Sequence, residues 1–204
     1  MLTTLLRQSA AGLRVLLVMT VLLGLAYPFA IYGVSRIPGL RAEAEGSLVV
    51  VDGHVVGSEL IGIDPVAANS QDMYFHTRPS ASSGGVLGSG DPSVSGGSNL
   101  AGDSPDLLDT VRQRRALIAA RDGVAPADVP PDAVTAPASG VDFDISPAYA
   151  QLQVARVARA SGLAVDQVRA LVAEHTTGRV LGFVGEPAVN VPALNLAVHR
   201  AHAG

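Results

Sequence analysis

Residues 15–32 read VLLVMTVLLGLAYPFAIY, and this run of eighteen residues contains no charged side chain. At about 1.5 Å per residue, an α-helix of this length covers roughly 27 Å, close to the thickness of the hydrocarbon layer of a membrane. The run therefore predicts a single transmembrane helix over residues 15–32. Pro28 lies near its end, where a packed span tolerates a proline if neighbouring groups satisfy the freed carbonyl.

A cleaved signal peptide is the alternative interpretation of this run. Gly24-Leu25-Ala26 has the small-x-small form of a cleavage site after a short apolar core. The apolar residues nevertheless continue past this site, and Tyr27 and Tyr32 suit the aromatic belt of a membrane surface. These features favour an uncleaved anchor.

The charges beside the run give little information about its orientation. Arg7 and Arg14 precede it, while Arg36 and Arg41 follow it, so the positive-inside rule is nearly balanced. The free amino terminus adds positive charge to the first segment, and large domains are translocated regardless of their charge. We predict a single-pass protein of the inner or plasma membrane, with a cytoplasmic N-terminus over residues 1–14 and an extracytoplasmic domain over residues 33–204.

The composition excludes several classes of chemistry. Hydrophobic residues make up 48% of the 204 residues but aromatic residues only 4%, so the core must consist of Ala, Val and Leu. The net charge of −4 gives no electrostatic footprint for nucleic acid. The sequence contains no Cys, and all 14 basic residues are Arg. Disulfides, a Walker A loop and Schiff-base chemistry on lysine are therefore excluded.

The exported part combines predicted strands with irregular segments. Two Val-rich runs around Asp52-Gly53 predict a β-hairpin with a type I′ turn. RVLGFVG at residues 179–185 predicts a short strand. Residues 123–146 contain several prolines, and we expect them to be irregular.

Helix signals complete the prediction of an α+β domain behind one transmembrane helix. Ser104-Pro105 and Ser146-Pro147 each supply an N-cap and a first-turn proline, and Gly162 predicts the end of the second helix near Ser161. Further amphipathic helices are predicted over residues 165–175 and towards the end of residues 189–203. In the helix that begins at Ser104-Pro105, one face is predicted to hold Leu107, Leu108, Val111, Leu117 and Ile118. The opposite face is predicted to hold Arg112, Arg114 and Arg115.

Four segments occur in a characteristic order behind the span. They are YFHTRPSAS (74–82), SGGSNL (95–100), TAPASGVDFDISPAYAQLQVARVA (135–158) and GEPAVNVPALNLAV (185–198). Together they resemble the C subunit of the Kdp-type potassium-transporting P-type ATPase, although Pro137, Phe143 and Pro192 depart from the pattern of that family. The resemblance covers most of the chain.

This resemblance implies a complex with a channel-like potassium-binding subunit and an ATP-hydrolysing P-type subunit. In that complex the chain is a non-catalytic accessory subunit, needed for assembly and stability, and a catalytic chaperone that raises the ATP affinity of the ATPase subunit. Potassium is the transported ion and ATP is bound within the complex, while the chain itself is expected to hold no metal or cofactor. The alternative is an anchored exported binding protein unrelated to the pump.

The Gly- and Ser-rich residues 85–102 have two possible functions. VSGGS at residues 94–98 resembles the signature sequence of ABC transporters, so Ser95, Gly96, Gly97 and Ser98 are candidates for contact with nucleotide. The predicted topology instead places the loop outside, where ATP is scarce. This topology favours a loop that docks on the channel-like subunit.

The candidate site residues lie in the four segments. Predicted partner and loop contacts are Tyr74, Phe75, Arg78, Pro79, Ser80, Gly96, Gly97, Ser98, Asn99, Asp142, Ser146, Asn190 and Asn195. Tyr74 and Phe75 are expected either in the core or in a subunit interface. Arg78 is either a partner of Asp142 or Asp144, or a solvated surface residue. Asn190 and Asn195 are expected to cap the last helix and to cross-link it to loop carbonyls.

Other polar residues have structural interpretations. Asp142 and Asp144, with nearby hydroxyls, are expected to cap helices and loops rather than to bind a cation. The spacing of His54, His76 and His175 does not suit a metal site. His199 and His202 are expected in a solvated tail. No Gly-x-Ser-x-Gly elbow is present, which argues against a hydrolase.

Overall fold

The computed structural model describes residues 1–51, 53–62, 64, 72–88 and 90–203. The chain forms two compact units, Met1–Ser47 and Leu48–Gly204. The first is helical, and the second mixes helices with two small antiparallel sheets. This arrangement confirms the predicted fold class, an α+β domain preceded by one apolar helix.

The first unit consists mainly of helix α1, Leu2–Ser35, whose 34 residues are long and apolar enough to cross a membrane. The helix is longer than the uncharged run because the residues before it also favour helix. Leu22–Ala26 form a π-helical turn in which the Tyr27 N–H donates to the Leu22 carbonyl. This wider turn lies directly before Pro28, which lacks the N–H that an α-helical bond needs. A short helix α2, Arg41–Ala44, follows.

The second unit begins with the predicted hairpin. Strands β1, Leu48–Val51, and β2, His54–Ser58, pair antiparallel, with a register shift between Val49 and Val50. Asp52 of the predicted turn lies outside the described residues.

The remaining elements enclose the core of this unit. In chain order they are α3, Pro105–Asp122; a 3-10 turn, Pro126–Asp128; α4, Pro131–Val134; β3, Asp144–Ile145; α5, Pro147–Ser161; α6, Val165–Glu174; β4, Thr176–Thr177; β5, Ala188–Asn190; and α7, Val191–Ala203. The second sheet has the order β3-β5-β4 with antiparallel pairs. Among the described residues, the buried core is mostly Val and Ala, as the composition predicts, but it holds Ile118 and Ile145 beside the single leucine Leu194. Phe75 and Tyr149 are its large aromatic side chains.

The two predicted Ser-Pro helix starts are confirmed. The Ser104 and Ser146 hydroxyls accept hydrogen bonds from the N–H groups of Leu107 and Tyr149, at 3.5 and 3.0 Å. The Ser146 backbone N–H and hydroxyl both donate to Asp132, each at 2.9 Å, which fixes this cap further. Helix α5 ends at Ser161 before Gly162, as predicted.

The predicted apolar face of α3 is wrong in part. Arg114, expected to point away from the core, is buried, while Leu108 and Leu117 are 49% and 46% exposed. Ile118 and Ala119 are buried as apolar residues of the true inner face. The Arg114 guanidinium is buried because carbonyl groups of three neighbouring segments accept its hydrogen bonds.

Residues 123–146 are more regular than predicted. They contain the 3-10 turn, α4 and β3. Pro126 and Pro131 occupy the first positions of their short helices, where a missing N–H has no intrahelical partner to lose.

The strand predicted over residues 179–185 is wrong. Val180 and Val184 form an isolated bridge around a turn, and strands β4 and β5 lie on either side of this segment. Leu181 has a positive φ of 54°, which a regular strand does not permit.

Candidate functional site

Residues 72–80, which include the first segment of the resemblance, form neither helix nor strand. Phe75, Thr77 and Ser80 are nevertheless buried. Buried backbone N–H and C=O groups need hydrogen-bond partners, and no sheet ladder supplies them here. Side chains of α5 and α7 supply them instead.

Two carboxamide side chains clamp this backbone. Asn195 of α7 accepts from the Phe75 N–H at 2.7 Å and donates to the Phe75 carbonyl at 2.9 Å. Gln153 of α5 accepts from the His76 N–H at 2.8 Å and donates to the His76 carbonyl at 3.2 Å. Each amide therefore replaces one residue of a neighbouring strand. The expected cross-link from Asn195 to a loop carbonyl is confirmed.

Arg156 extends the clamp by one turn of α5. Its guanidinium donates to the carbonyls of Asp72 and Tyr74, at 2.8 and 3.0 Å, and to Gln153 Oε1 at 2.8 Å. Its Nε donates to the buried Asp122 carboxylate at 2.6 Å. Arg121 donates to the other oxygen of Asp122 at 2.8 Å, so one carboxylate connects two guanidinium groups.

The edge of this network holds a histidine between two carboxylates. His76 Nδ1 lies 2.5 Å from Asp64 Oδ1, and His76 Nε2 lies 2.7 Å from Asp72 Oδ2. Both ring nitrogens can donate only in the imidazolium form. Burial by itself lowers the pKa of His76, but the hydrogen bonds to the two carboxylates outweigh it and raise that pKa.

The same contacts act on Asp72. Burial opposes ionisation, but the hydrogen bond and charge of His76 and the charge of Arg156 hold the Asp72 pKa below its usual value. Within the described residues, no group of three or more His, Cys, Asp or Glu side chains could hold a metal ion.

Arg78 pairs with Asp142, one of its two predicted partners. Its Nη1 lies 3.3 Å from Asp142 Oδ2, and its Nη2 donates to the Thr135 carbonyl and hydroxyl and to the Ala136 carbonyl. The carboxylate contact is single rather than bidentate. Asp142 Oδ1 also accepts from the Asp144 N–H at 3.3 Å, which agrees with the expected capping role.

Arg114 connects three segments through carbonyl groups. Its donors reach the carbonyls of Val86, Val134 and Ser80 at 3.0, 3.3 and 3.3 Å. Burial lowers the pKa of this guanidinium, although an arginine remains charged. Pro79 and Ser80 are buried, and Ser80 donates its N–H to the Gly88 carbonyl at 3.0 Å.

The SGGSNL segment packs closely against residues 138–140. The Ser139 carbonyl accepts from the Gly96 N–H at 2.8 Å and from the Ser95 hydroxyl at 3.0 Å. A Cβ at Gly97 would lie 3.3 Å from the Ala138 backbone. A Cβ at Gly140, which has φ +73°, would lie 2.5 Å from the Gly96 carbonyl oxygen. The glycines therefore allow the two backbones to approach.

This geometry differs from that of a phosphate nest. A nest aligns successive N–H groups around an anion by alternating right- and left-handed residues. Neither Gly96 nor Gly97 has a left-handed φ, and the Gly96 N–H already donates to Ser139. The other side of the loop is exposed at Val94, Ser98, Asn99 and Leu100. We call these four residues the loop surface.

The remaining candidates lie around the N-terminal half of α7. Asn190 Oδ1 accepts from the Ala193 N–H at 2.9 Å, as expected for a cap, and its Nδ2 donates to the Glu59 carbonyl at 3.2 Å. Phe75 lies in the core, whereas Tyr74 is half-buried and borders a cavity of about 320 Å³ between the hairpin and α7. Ser146 serves as the cap of α5.

His199 and His202 are both exposed, as expected for a solvated tail, but each also contacts a polar group of the domain. His199 Nδ1 lies 3.2 Å from the Tyr74 hydroxyl, and His202 Nδ1 lies 2.7 Å from the Ser161 carbonyl. Gln153, Arg156 and Arg114 also contribute to the site, although the four sequence segments did not predict this. One sequence pattern could have indicated Gln153 and Arg156: both are polar residues among the apolar positions on the buried face of α5.

The fold and site define a class of protein. An apolar helix long enough to cross a membrane precedes an α+β domain whose exposed loop is fixed by hydrogen bonds to the Ser139 carbonyl, an arrangement that fits a membrane-associated protein. The chain belongs to the family described as KdpC, the c chain of the K⁺-transporting ATPase, whose profile matches residues 9–200.

Relatives from several bacteria carry the same description over nearly their whole length. The chain is 53% identical to a potassium-transporting ATPase KdpC subunit of Kineococcus radiotolerans, over 98% of this chain and 97% of that protein. It is 44% identical to the subunit of the same name in Streptomyces coelicolor, over 97% and 94% of the two chains. The corresponding subunit of Bradyrhizobium diazoefficiens is also 44% identical, over 97% and 99%.

Replacing the amide of Gln153 tests the backbone clamp. Gln153→Leu leaves the N–H and carbonyl of His76 without this partner. Each backbone group left unpaired destabilises the folded state by about 1–3 kcal/mol. We expect the free energy of unfolding to fall by about 2–4 kcal/mol, measured by urea unfolding of the full chain in detergent with circular dichroism at 222 nm. Gln151→Leu is the matched control, because Gln151 is exposed on the same helix. Equal stability of the two variants would contradict the clamp.

The raised pKa of His76 predicts a stability that depends on pH. A raised folded-state pKa adds stability that is complete below the unfolded histidine pKa of about 6.5, and this stability is lost as the pH rises through the folded-state value. We therefore expect the difference in unfolding free energy between wild type and His76→Gln to shrink as the pH rises from about 6 upward.

The exposed His54 provides a control for this measurement. His54→Gln makes the same substitution at a site without the two carboxylate contacts of His76. A difference between wild type and His76→Gln that does not change with pH would show that the imidazolium adds nothing.

Proposed function

We propose that this chain is a non-catalytic accessory subunit of a membrane pump that imports potassium by ATP hydrolysis. Family membership over residues 9–200 and the names of the relatives support this function. An apolar helix of membrane-crossing length fits such a subunit. Its partners are a channel-like potassium-binding subunit and an ATP-hydrolysing P-type subunit, and its function is to assemble and stabilise their complex.

The observation that carries this proposal is the loop surface. Val94 and Leu100 are 50% and 41% exposed, in a loop whose other side is fixed by the contacts of Ser95, Gly96 and Gly97. A loop that is ordered before it binds loses less conformational entropy on association. We therefore propose that the loop surface contacts the channel-like subunit.

In this proposal, ATP binds to the ATPase subunit and not to this chain. The accessory subunit raises the affinity of that subunit for ATP through the assembled complex, without contact between nucleotide and Ser95–Ser98. The backbone geometry of Gly96 and Gly97, and the existing hydrogen bond of Gly96, support this choice.

We further propose that the N-terminal helix remains uncleaved, with residues 1–14 in the cytoplasm and the α+β domain outside. This arrangement places the loop surface on the side from which potassium enters. It also keeps the loop away from cytoplasmic ATP.

Charged substitutions on the loop surface test the assembly function. The double variant Val94→Arg, Leu100→Arg should no longer co-purify with the other pump subunits, and cells that carry it should not grow at low external potassium. The reason is that burying an unpaired charge in an interface without water is unfavourable. Its urea unfolding should match the wild type, since exposed substitutions change stability by only about 0.5 kcal/mol. Leu108→Arg, Leu117→Arg on the exposed face of α3 is the matched control. Normal assembly of the loop variant would contradict the proposal.

Single cysteines test the orientation, because the natural chain contains none. We expect Ser98→Cys to react with a membrane-impermeant maleimide in intact cells that express this chain alone. Ser9→Cys, in the first turns of α1, should react only after the cells are permeabilised. The wild type measures background labelling, and the reverse pattern would overturn the proposed orientation.

A further inference from the structure

The turn between β4 and β5 exposes a cluster of large apolar side chains. Val180, Leu181, Phe183 and Val184 are 63%, 82%, 72% and 49% exposed, and with Gly182 we call them the apolar turn. Single exposed apolar residues are normal, whereas a contiguous group marks a surface that contacts another protein, a ligand or a membrane.

Hydrogen bonds within residues 179–184 satisfy most backbone N–H groups of the apolar turn. Val180 and Val184 exchange two N–H···O=C bonds, each of 2.9 Å. The Gly182 N–H donates to the Arg179 carbonyl at 3.1 Å, and the Phe183 N–H donates to the Val180 carbonyl at 3.3 Å. A segment that enters hydrocarbon must satisfy its polar groups internally, because water is absent there. Four of the five N–H groups of the apolar turn therefore meet this requirement.

The conformation of Leu181 is a second, independent observation. Its φ of 54° lies in the left-handed region, which is sterically unfavourable for a leucine. The same residue is the most exposed of the four. Neither local conformation nor burial within the domain explains a leucine at this position.

Charged residues form the base of the turn. Arg179 and Glu186 pair at 2.6 Å, with side chains 43% and 79% exposed. An apolar tip above a polar base matches the change from acyl chains to headgroups across a membrane surface. The long side chain of Arg179 can reach headgroup phosphates while its stem remains in apolar surroundings.

A short segment joins α1 to the second unit. Helix α1 ends at Ser35 and the second unit begins at Leu48. The intervening residues 36–47 span at most roughly 40 Å when fully extended. Such a short tether keeps the second unit at a high effective concentration near the membrane surface, so a weak contact is sufficient.

We propose that the apolar turn inserts into the headgroup and upper acyl layer of the bilayer and forms a second, peripheral membrane contact of this chain. The inference rests on the membrane anchor of the proposed function. A lipid surface fits the turn better than a strand-pairing partner, because the mutual bonds of Val180 and Val184 already use their ladder groups.

Fluorescence quenching in vesicles tests this contact. The full chain carrying Leu181→Cys is labelled with nitrobenzoxadiazole and reconstituted into vesicles of phosphatidylcholine and phosphatidylglycerol, with or without lipids that carry a doxyl group near the headgroup end. We expect a blue-shifted emission and strong quenching by the doxyl lipid. Leu117→Cys, exposed on α3, is the matched control and should emit as in water. Phe183→Cys should repeat the Leu181 result.

The outcomes separate this inference from the proposed function. Flotation of the vesicles reports the anchor, so a chain that fails to float contradicts the anchor itself. A chain that floats while its Leu181 label behaves like the Leu117 control overturns only the lipid contact. A label that becomes shielded only when the other pump subunits are present shows a protein partner, and it also overturns the lipid contact.

Discussion

The second unit depends on the pairing of two side-chain amides with a buried stretch of backbone. Phe75 and His76 pass through the domain without a strand partner, and Asn195 and Gln153 each satisfy one residue at both its N–H and its carbonyl. Leaving these groups unpaired would cost several kcal/mol in total. Because Asn195 belongs to α7 and Gln153 to α5, the same four bonds also fix both helices against the segment that carries Phe75 into the core.

Charge within this interior is balanced by short, shared contacts. Arg156 and Arg121 both bind Asp122, and Arg156 and His76 both bind Asp72. A buried ion pair adds little stability relative to a well-packed apolar pair, but breaking one costs several kcal/mol. Here the guanidinium of Arg156 also donates to the carbonyls of Asp72 and Tyr74, and these two hydrogen bonds fix the path of the backbone. Only arginine offers five donors in a fixed plane for such a set of acceptors.

The loop surface is supported by the same interior. Arg78 joins the clamped segment to Thr135 and Asp142, and Arg114 joins it to Val86 and Val134. Residues 138–140 in turn fix Ser95, Gly96 and Gly97. The four segments that resemble the pump subunit in sequence are thus connected by contacts in space, although they are separated along the chain. In the proposed function, this connection means that contacts within the chain itself order the loop surface.

The sequence by itself determined the features that depend on neighbouring residues. These are the apolar helix, the hairpin, the Ser-Pro helix starts at Ser104 and Ser146, the helix end at Gly162 and, through the ordered segments, the family. Only the tertiary structure decided which polar residues became buried and which apolar residues remained exposed. Arg114 is buried because carbonyls from three distant segments accept its donors, and residues 179–185 form a turn because strands β4 and β5 both pair within one small sheet. Local patterns record helix and strand periodicity, whereas a hydrogen bond between residues 120 positions apart, such as that of Phe75 with Asn195, has no local signal.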